Sequence, residues 1–210
     1  MANEILDLII DFGRLKTYIR TGWLARGIGK AAVESVADHV SRTAFVAMIL
    51  ADKIGTKKKL NLGLILRMAI LHDLAETLLT DIDKKAWQYL GLHLKAKVEE
   101  KAIRDLLRNI PSDIAQNYIR TWRAYSHAKS LEAKIVQASD KLELVIQALE
   151  YVKHGIPKEN VEALVKDAKK RINSFGILEA DSILNAVCSR LGMLSLAKPR
   201  RAGRLSRRLR

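Results

Sequence analysis

Apolar positions along this chain recur at three- and four-residue spacing rather than at every second residue, which predicts helices from end to end. Alternating runs and Asn-Gly or Asp-Gly hairpin pairs are missing, and there are only three prolines. Residues 3–18 form an amphipathic first helix with Ile5, Leu8, Ile9, Phe12 and Leu15 on one side. Ser35 opens a second, with Asp38 placed for a capping box. Further helices follow at residues 83–90, ended by Gly91, at 94–108, and from Pro111 to about residue 125. Residues 129–154 carry a stripe of Leu131, Ile135, Ala138, Leu142, Val145, Leu149 and Val152, stopped by Gly155 and Pro157. Two more helices, 158–175 and 178–196, are separated at Gly176, and disorder is expected beyond Pro199. The fold class is all-α, a single-domain helical bundle.

Residues 60–83, LNLGLILRMAILHDLAETLLTDID, interrupt the pattern with chemistry. Leu62, Ile65, Leu66, Ala69 and Ile70 cover most of a helix, which should therefore be buried, yet His72, Asp73, Glu76 and Asp81 follow directly. Ionisable groups are costly to bury unless paired or bound to a metal. On a helix, His72 and Glu76 at i,i+4 and Asp73 and Glu76 at i,i+3 share a face. On this stretch alone, a histidine bonded to a backbone carbonyl and a metal site are equally admissible. His39 shares the inward side of its helix with Val36, Thr43, Val46 and Leu50, which makes a multi-helix metal site geometrically feasible. Asp140 lies off the stripe of its helix and by itself reads as an ordinary solvated acid. Arg20, Trp23 and Arg26 read first as a helix end, a packing aromatic and a surface base. Their other reading is a cationic and aromatic wall for a phosphorylated, ring-bearing ligand.

Composition narrows the class. With 210 residues, 49% apolar and 29% charged, the chain suits one globular domain. No apolar run approaches a membrane span, and the first residues carry acids where a signal peptide carries bases, so a cytoplasmic location without membrane association is expected. Cys188 is the only cysteine, which excludes an intramolecular disulfide and a cysteine-rich metal site. The net charge of +14 is uneven: Lys198, Arg200, Arg201, Arg204, Arg207, Arg208 and Arg210 supply about half of it. This tail, residues 198–210, is expected to be solvated and disordered, with nucleic-acid binding the less favoured alternative.

Taken together, His39, His72-Asp73 and Asp140 give H…HD…D on separate predicted helices. Around them stand Arg20-Thr21-Gly22-Trp23, Glu34-Ser35-Val36-Ala37-Asp38-His39, Leu71-His72-Asp73-Leu74-Ala75-Glu76, Thr80-Asp81, Ser139-Asp140-Lys141 and Gln147-Ala148-Leu149-Glu150-Tyr151. This pattern resembles the HD-domain metal-dependent phosphohydrolases, and is most similar to their small 5'-deoxynucleotidase-like branch. The resemblance implies a domain over residues 1–197 with an HD core at about 34–151. It implies that His39, His72, Asp73 and Asp140 bind one divalent cation (manganese, cobalt, nickel, zinc, iron or magnesium). Such a nitrogen and oxygen set suits manganese, cobalt, nickel, zinc or iron better than calcium. It implies that Glu76 and Asp81 are catalytic, that Arg20, Trp23 and Arg26 bind substrate, and that the activity is a 5'-nucleotidase of a homodimer. Hydrolysis of a nucleoside triphosphate or phosphodiester is the alternative within the superfamily. Only His93, His127 and His154 remain for a second metal, none at a recognisable spacing, so a mononuclear site is expected. One departure stands out. Relatives tend to carry acids after the tryptophan of the helix before the last aspartate, whereas here Trp122 is followed by Arg123-Ala124-Tyr125-Ser126-His127, which puts the family's substrate preference in question.

Overall fold

The computed structural model describes residues 2–193. Among them the chain runs α1 (Ala2–Phe12), a 3-10 turn (Gly13–Lys16), α2 (Thr21–Leu24), a second 3-10 turn (Lys30–Ala32), α3 (Val36–Gly55) and α4 (Leu62–Leu71). It continues through α5 (Glu76–Leu79), α6 (Lys84–Leu90), α7 (Leu92–Leu106), α8 (Ser112–His127), α9 (Leu131–Lys153), α10 (Lys158–Ser174) and α11 (Leu178–Arg190). The only extended pairing among the described residues is one antiparallel bridge, Ile19 to Ser35. The fold is all-α, as expected. Residues 198–210, expected to be disordered, and the end of the helix predicted at 178–196 lie outside the described residues.

The bundle is built around α9. It packs against α3, α4, α8, α10 and α11, so it is buried nearly all round. Ile135, Ala138, Leu142, Val145 and Ala148 are fully buried, and so are the polar Ser139 and Glu143. The sequence showed one apolar stripe; the structure encloses the other side as well. That enclosure corrects the reading of Asp140 as a solvated acid, since it is only 5% exposed. The apolar stripes of α10 and α11, including Val161, Val165, Ile172 and Leu184, also face this core. A smaller cluster, Leu71, Leu74, Ile103, Leu107, Ile119 and Trp122, joins α7 and α8 to the end of α4.

α3 begins on the capping box predicted for it. Ser35 Oγ accepts from the Asp38 amide at 3.1 Å, and Asp38 Oδ2 accepts from the Ser35 amide at 2.9 Å. Beside it, the Val36 amide donates to the Tyr18 carbonyl (2.8 Å) and the Arg20 amide to the Glu34 carbonyl (3.1 Å). These bonds tie the segment bearing Arg20 to the start of the helix that bears His39.

Two expectations need correction. The predicted first helix ends at Phe12, and no residue of α1 is buried. Leu8 and Phe12 pack inward, but Ile9 is 62% and Ile10 60% exposed, because a short helix at the bundle's edge meets the core on one side only. The run at 60–83 is not one helix either. α4 stops at Leu71, and the bonds Leu74 N to Leu71 O, Glu76 N to Asp73 O and Thr77 N to Leu74 O tighten the chain to i→i+3 spacing. Thr80, at φ 60°, then ends α5. Few residues other than glycine adopt this conformation. Asp81 holds it by accepting from the amide and hydroxyl of Thr21, while its own carbonyl accepts from the same hydroxyl at 2.9 Å.

Among the described residues, no helix is long and apolar enough to cross a membrane. Core and edge positions should respond differently to truncation. Leu142→Ala, at a fully buried site, is expected to cost about 2–5 kcal/mol in a urea unfolding titration. Leu178→Ala, at a site 78% exposed, should stay within about 0.5 kcal/mol of the parent.

Candidate metal centre and its cleft

His39 comes from the first turn of α3, His72 from the residue that ends α4, Asp73 from the tight turn after it, and Asp140 from the middle of α9. Their ligand atoms converge. His72 Nε2 stands 3.3 Å from His39 Nε2 and 3.1 Å from Asp73 Oδ2. His39 Nε2 stands 3.6 Å from Asp73 Oδ2 and 3.4 Å from Asp140 Oδ1. Two ligands about 2.1 Å from a shared ion stand about 3.0 Å apart at a right angle and about 3.4 Å apart at the tetrahedral angle. Three of the four spacings fall in that range, and His39, His72 and Asp140 form a group whose ligand atoms could hold a metal ion; Asp73 lies beside them, 3.1 Å from His72 and 3.6 Å from His39.

The outer nitrogens explain why both Nε2 atoms face inward. His39 Nδ1 is hydrogen-bonded to the buried carboxylate of Glu143. His72 Nδ1 donates at 2.7 Å to the Ala69 carbonyl, one of the acceptors left open where α4 ends. With both Nδ1 positions engaged as donors, both Nε2 atoms face the same buried space beside two carboxylates, an arrangement that calls for positive charge there, whether a proton on His39 or a cation. The local electrostatics agree. Burial and Arg20 oppose protonation of His39, but Glu143 and Asp140 outweigh them and raise its pKa to about 10. Burial likewise opposes ionisation of Asp73, yet His72, Arg20 and His39 hold it below the usual carboxylate range. Asp140 is held low against burial by Lys141, His39 and His72. Its Oδ2 takes Lys141 Nζ at 2.9 Å and the Tyr125 hydroxyl at 3.2 Å, leaving Oδ1 toward His39.

Arg20 stands beside this group, with Nη1 3.4 Å from Asp73, 3.8 Å from Asp81 and 4.0 Å from Glu76. Glu76 Oε2 is buried without a hydrogen-bond partner. Burial, then the charge of Asp73, pushes the Glu76 carboxyl well above its ordinary pKa. Arg20, His72, Asp73, Glu76, Asp81 and Asp140 line a cleft of about 560 Å³, a size suited to a small ligand, and His39 is buried behind them. Trp23 and Arg26 line the cleft, as do Lys95 of α7 and Arg171 of α10. Trp23 is nevertheless 1% exposed, donates its indole N–H to Glu34 at 2.8 Å and stacks edge-on against Tyr151. Most of its ring is therefore core. Arg26 donates to the Gly22 carbonyl within its own turn. His93, His127 and His154 do not line the cleft.

Three contributors were not read from the sequence. Glu143 and Arg42 each lie three residues after a converging side chain, Asp140 and His39, so helical register places them on the same faces; that spacing was the available signal. Tyr125 sits in the stretch singled out as a departure, and only the packing of α8 against α9 brings its hydroxyl to Asp140. Arg123, from the same stretch, turns away. Its Nε and Nη2 bind Glu100 of α7 at 3.0 and 2.6 Å, outside the cleft lining.

A model of the HD domain family matches residues 12–176 of the chain. The human protein "5'-deoxynucleotidase HDDC2" is 33% identical over 150 residues, covering 71% of this chain and 69% of that one. Its namesake from Dictyostelium discoideum is 34% identical over 161 residues, covering 75% and 83%. Among solved structures, a conserved hypothetical protein from Pyrococcus furiosus superposes with a TM-score of 0.76 at 33% identity, covering 88% of this chain and 99% of that one.

The Arg123 arrangement can be tested apart from any activity. Hydrogen bonding by Arg123 lowers the Glu100 pKa to about 2 from its ordinary 4.5. The small stability this adds is present above about pH 4.5 and fades as pH falls toward about 2. Arg123→Ala should raise the Glu100 pKa, followed by NMR titration. An unmoved titration would place Arg123 elsewhere.

Proposed function

Because the chain belongs to the HD-domain family, we propose that it is a divalent-metal-dependent phosphohydrolase that removes phosphate from nucleoside 5'-monophosphates, deoxynucleotides favoured. The observation that carries this reading is the convergence of His39, His72, Asp73 and Asp140 at the head of a cleft that also holds Glu76 and Arg20. These four side chains are proposed to hold one divalent cation, and their mixed nitrogen and oxygen set suits cobalt, manganese, nickel, zinc or iron. When bound, the cation supplies positive charge to a phosphate oxygen and acidifies water at neutral pH.

The chain's own residues do the rest. Arg20 is fixed in place by three carboxylates, so its guanidinium is oriented before substrate arrives and receives the phosphate. Glu76 carries a buried oxygen free to take or hold a proton, and burial, then the charge of Asp73, raises its pKa well above the ordinary value, which favours that role. Asp81, held by Thr21, lies 3.8 Å from Arg20 and serves proton transfer to the leaving 5'-oxygen. Trp23 and Arg26 form the wall beside the sugar. Residues 1–197 make up the catalytic domain and 198–210 a basic tail beyond it. The same reading takes the enzyme to be a cytoplasmic homodimer.

The test is phosphate release from nucleoside 5'- and 3'-monophosphates after stripping the protein and reloading it with each metal in turn. Release should occur from 5'-monophosphates only, depend on metal, and disappear in Asp73→Ala. Glu76→Gln should lower kcat by about 10²–10⁴-fold with metal uptake unchanged. Absence of release from a protein that demonstrably takes up metal, or pyrophosphate as the product from a triphosphate, would refute the monophosphatase reading.

A further inference from the structure

We infer that Glu143 and Arg42 are positioning residues that aim His39 at the cation and set how tightly it is held; this rests on the metal-centre reading above. Glu143 is fully buried one turn beyond Asp140 on α9, and Arg42 lies one turn beyond His39 on α3. The two helices therefore meet twice, once through the ligand pair and once through this second pair. The Glu143 carboxylate is divided between two partners. Oε2 meets His39 Nδ1, and Oε1 accepts from Arg42 Nε at 3.0 Å and Nη2 at 2.8 Å.

This division does chemical work at each end. A carboxylate at Nδ1 keeps the proton there, leaves Nε2 bare for the cation and makes the ring a stronger donor. His72 has only a neutral carbonyl at its Nδ1, so His39 is the more strongly backed of the two imidazoles. A fully buried carboxylate needs a countercharge to remain ionised, and the forked guanidinium of Arg42 provides it. Arg42 is itself anchored by Glu150 at 2.7 Å and by Gln147, with Glu34 3.8 Å away.

The cluster has a second possible meaning. Glu34, His39 and Glu143 bring ligand atoms close enough together to hold a metal of their own. Arg42 Nη2, however, lies 2.8 Å from Glu143 and 3.8 Å from Glu34, so the positive charge in that space is already the guanidinium. The cluster is thus the support behind the cation site rather than a second cation site.

The experiment is cobalt binding by equilibrium dialysis against a competing chelator, with no substrate present, for the wild type, Glu143→Gln and Arg42→Lys. Far-UV circular dichroism establishes that each is folded. Glu143→Gln keeps an acceptor but removes its charge, and cobalt affinity should fall by about 10- to 100-fold. Arg42→Lys keeps the charge but loses the fork, and should show a smaller loss. In the zinc-loaded proteins, ¹⁵N NMR should find His39 ligated through Nε2 with its proton on Nδ1 in the wild type, and a second population without that signature in Glu143→Gln, a change that loosened packing alone does not produce. If Glu143→Gln fails to fold, Arg42→Lys at its partly exposed site carries the test. Wild-type uptake with undiminished affinity in the folded variants overturns this inference alone. A wild type that takes up no cobalt overturns the metal-centre reading and this inference with it.

Discussion

The constraint on which this structure turns is the meeting of two imidazole nitrogens 3.3 Å apart in the interior, both pointing at the same space. Two bare ring nitrogens arranged this way would repel through their lone pairs, so the pair requires positive charge, carried by a proton on His39 or by a cation between the rings. Around that contact the chain supplies negative charge from Asp73 and Asp140 on the inside and from Glu143 on the outside. Everything nearby follows from the need to balance it: Arg20 against Asp73, Lys141 against Asp140, and Arg42 against Glu143. The bundle is an apolar scaffold wrapped around one concentrated charge problem.

Helical periodicity made the scaffold legible. The helix predicted at 129–154 is α9, Leu131–Lys153, and the one predicted at 158–175 is α10, Lys158–Ser174. The capping box at Ser35 was readable because its two side chains act within a single turn. What local pattern could not supply was the number of neighbours around each helix. Asp140 lies off the apolar stripe, and only the packing of α3 and α8 against that side of α9 makes it a buried acid. α1 fails the other way, since its apolar side is broader than the surface available to cover it.

The break at His72 was hidden for a different reason. In an apolar run with good helix formers, nothing marks a change from i→i+4 to i→i+3 bonding. That change depends on His72 reaching the Ala69 carbonyl and on Asp81 reaching Thr21, contacts that exist only in the folded chain. The order and types of the converging residues were nonetheless readable, because charged side chains at the end of an apolar helix are conspicuous. Their supports were not, because Glu143 and Arg42 look like ordinary surface residues until α3 lies against α9.

The centre also draws together parts of the chain that are far apart along it. His39 meets His72 across 33 residues and Glu143 across 104. Contacts of such separation carry the loop-closure cost that sets folding rates. No fragment and no partly collapsed intermediate holds all of these side chains in place, so the cluster is complete only when the chain is. A ligand that needs the whole cluster would bind the native state and not the unfolded one, and would draw the folding equilibrium toward native by mass action. The reactive centre thus doubles as a record of whether folding has finished.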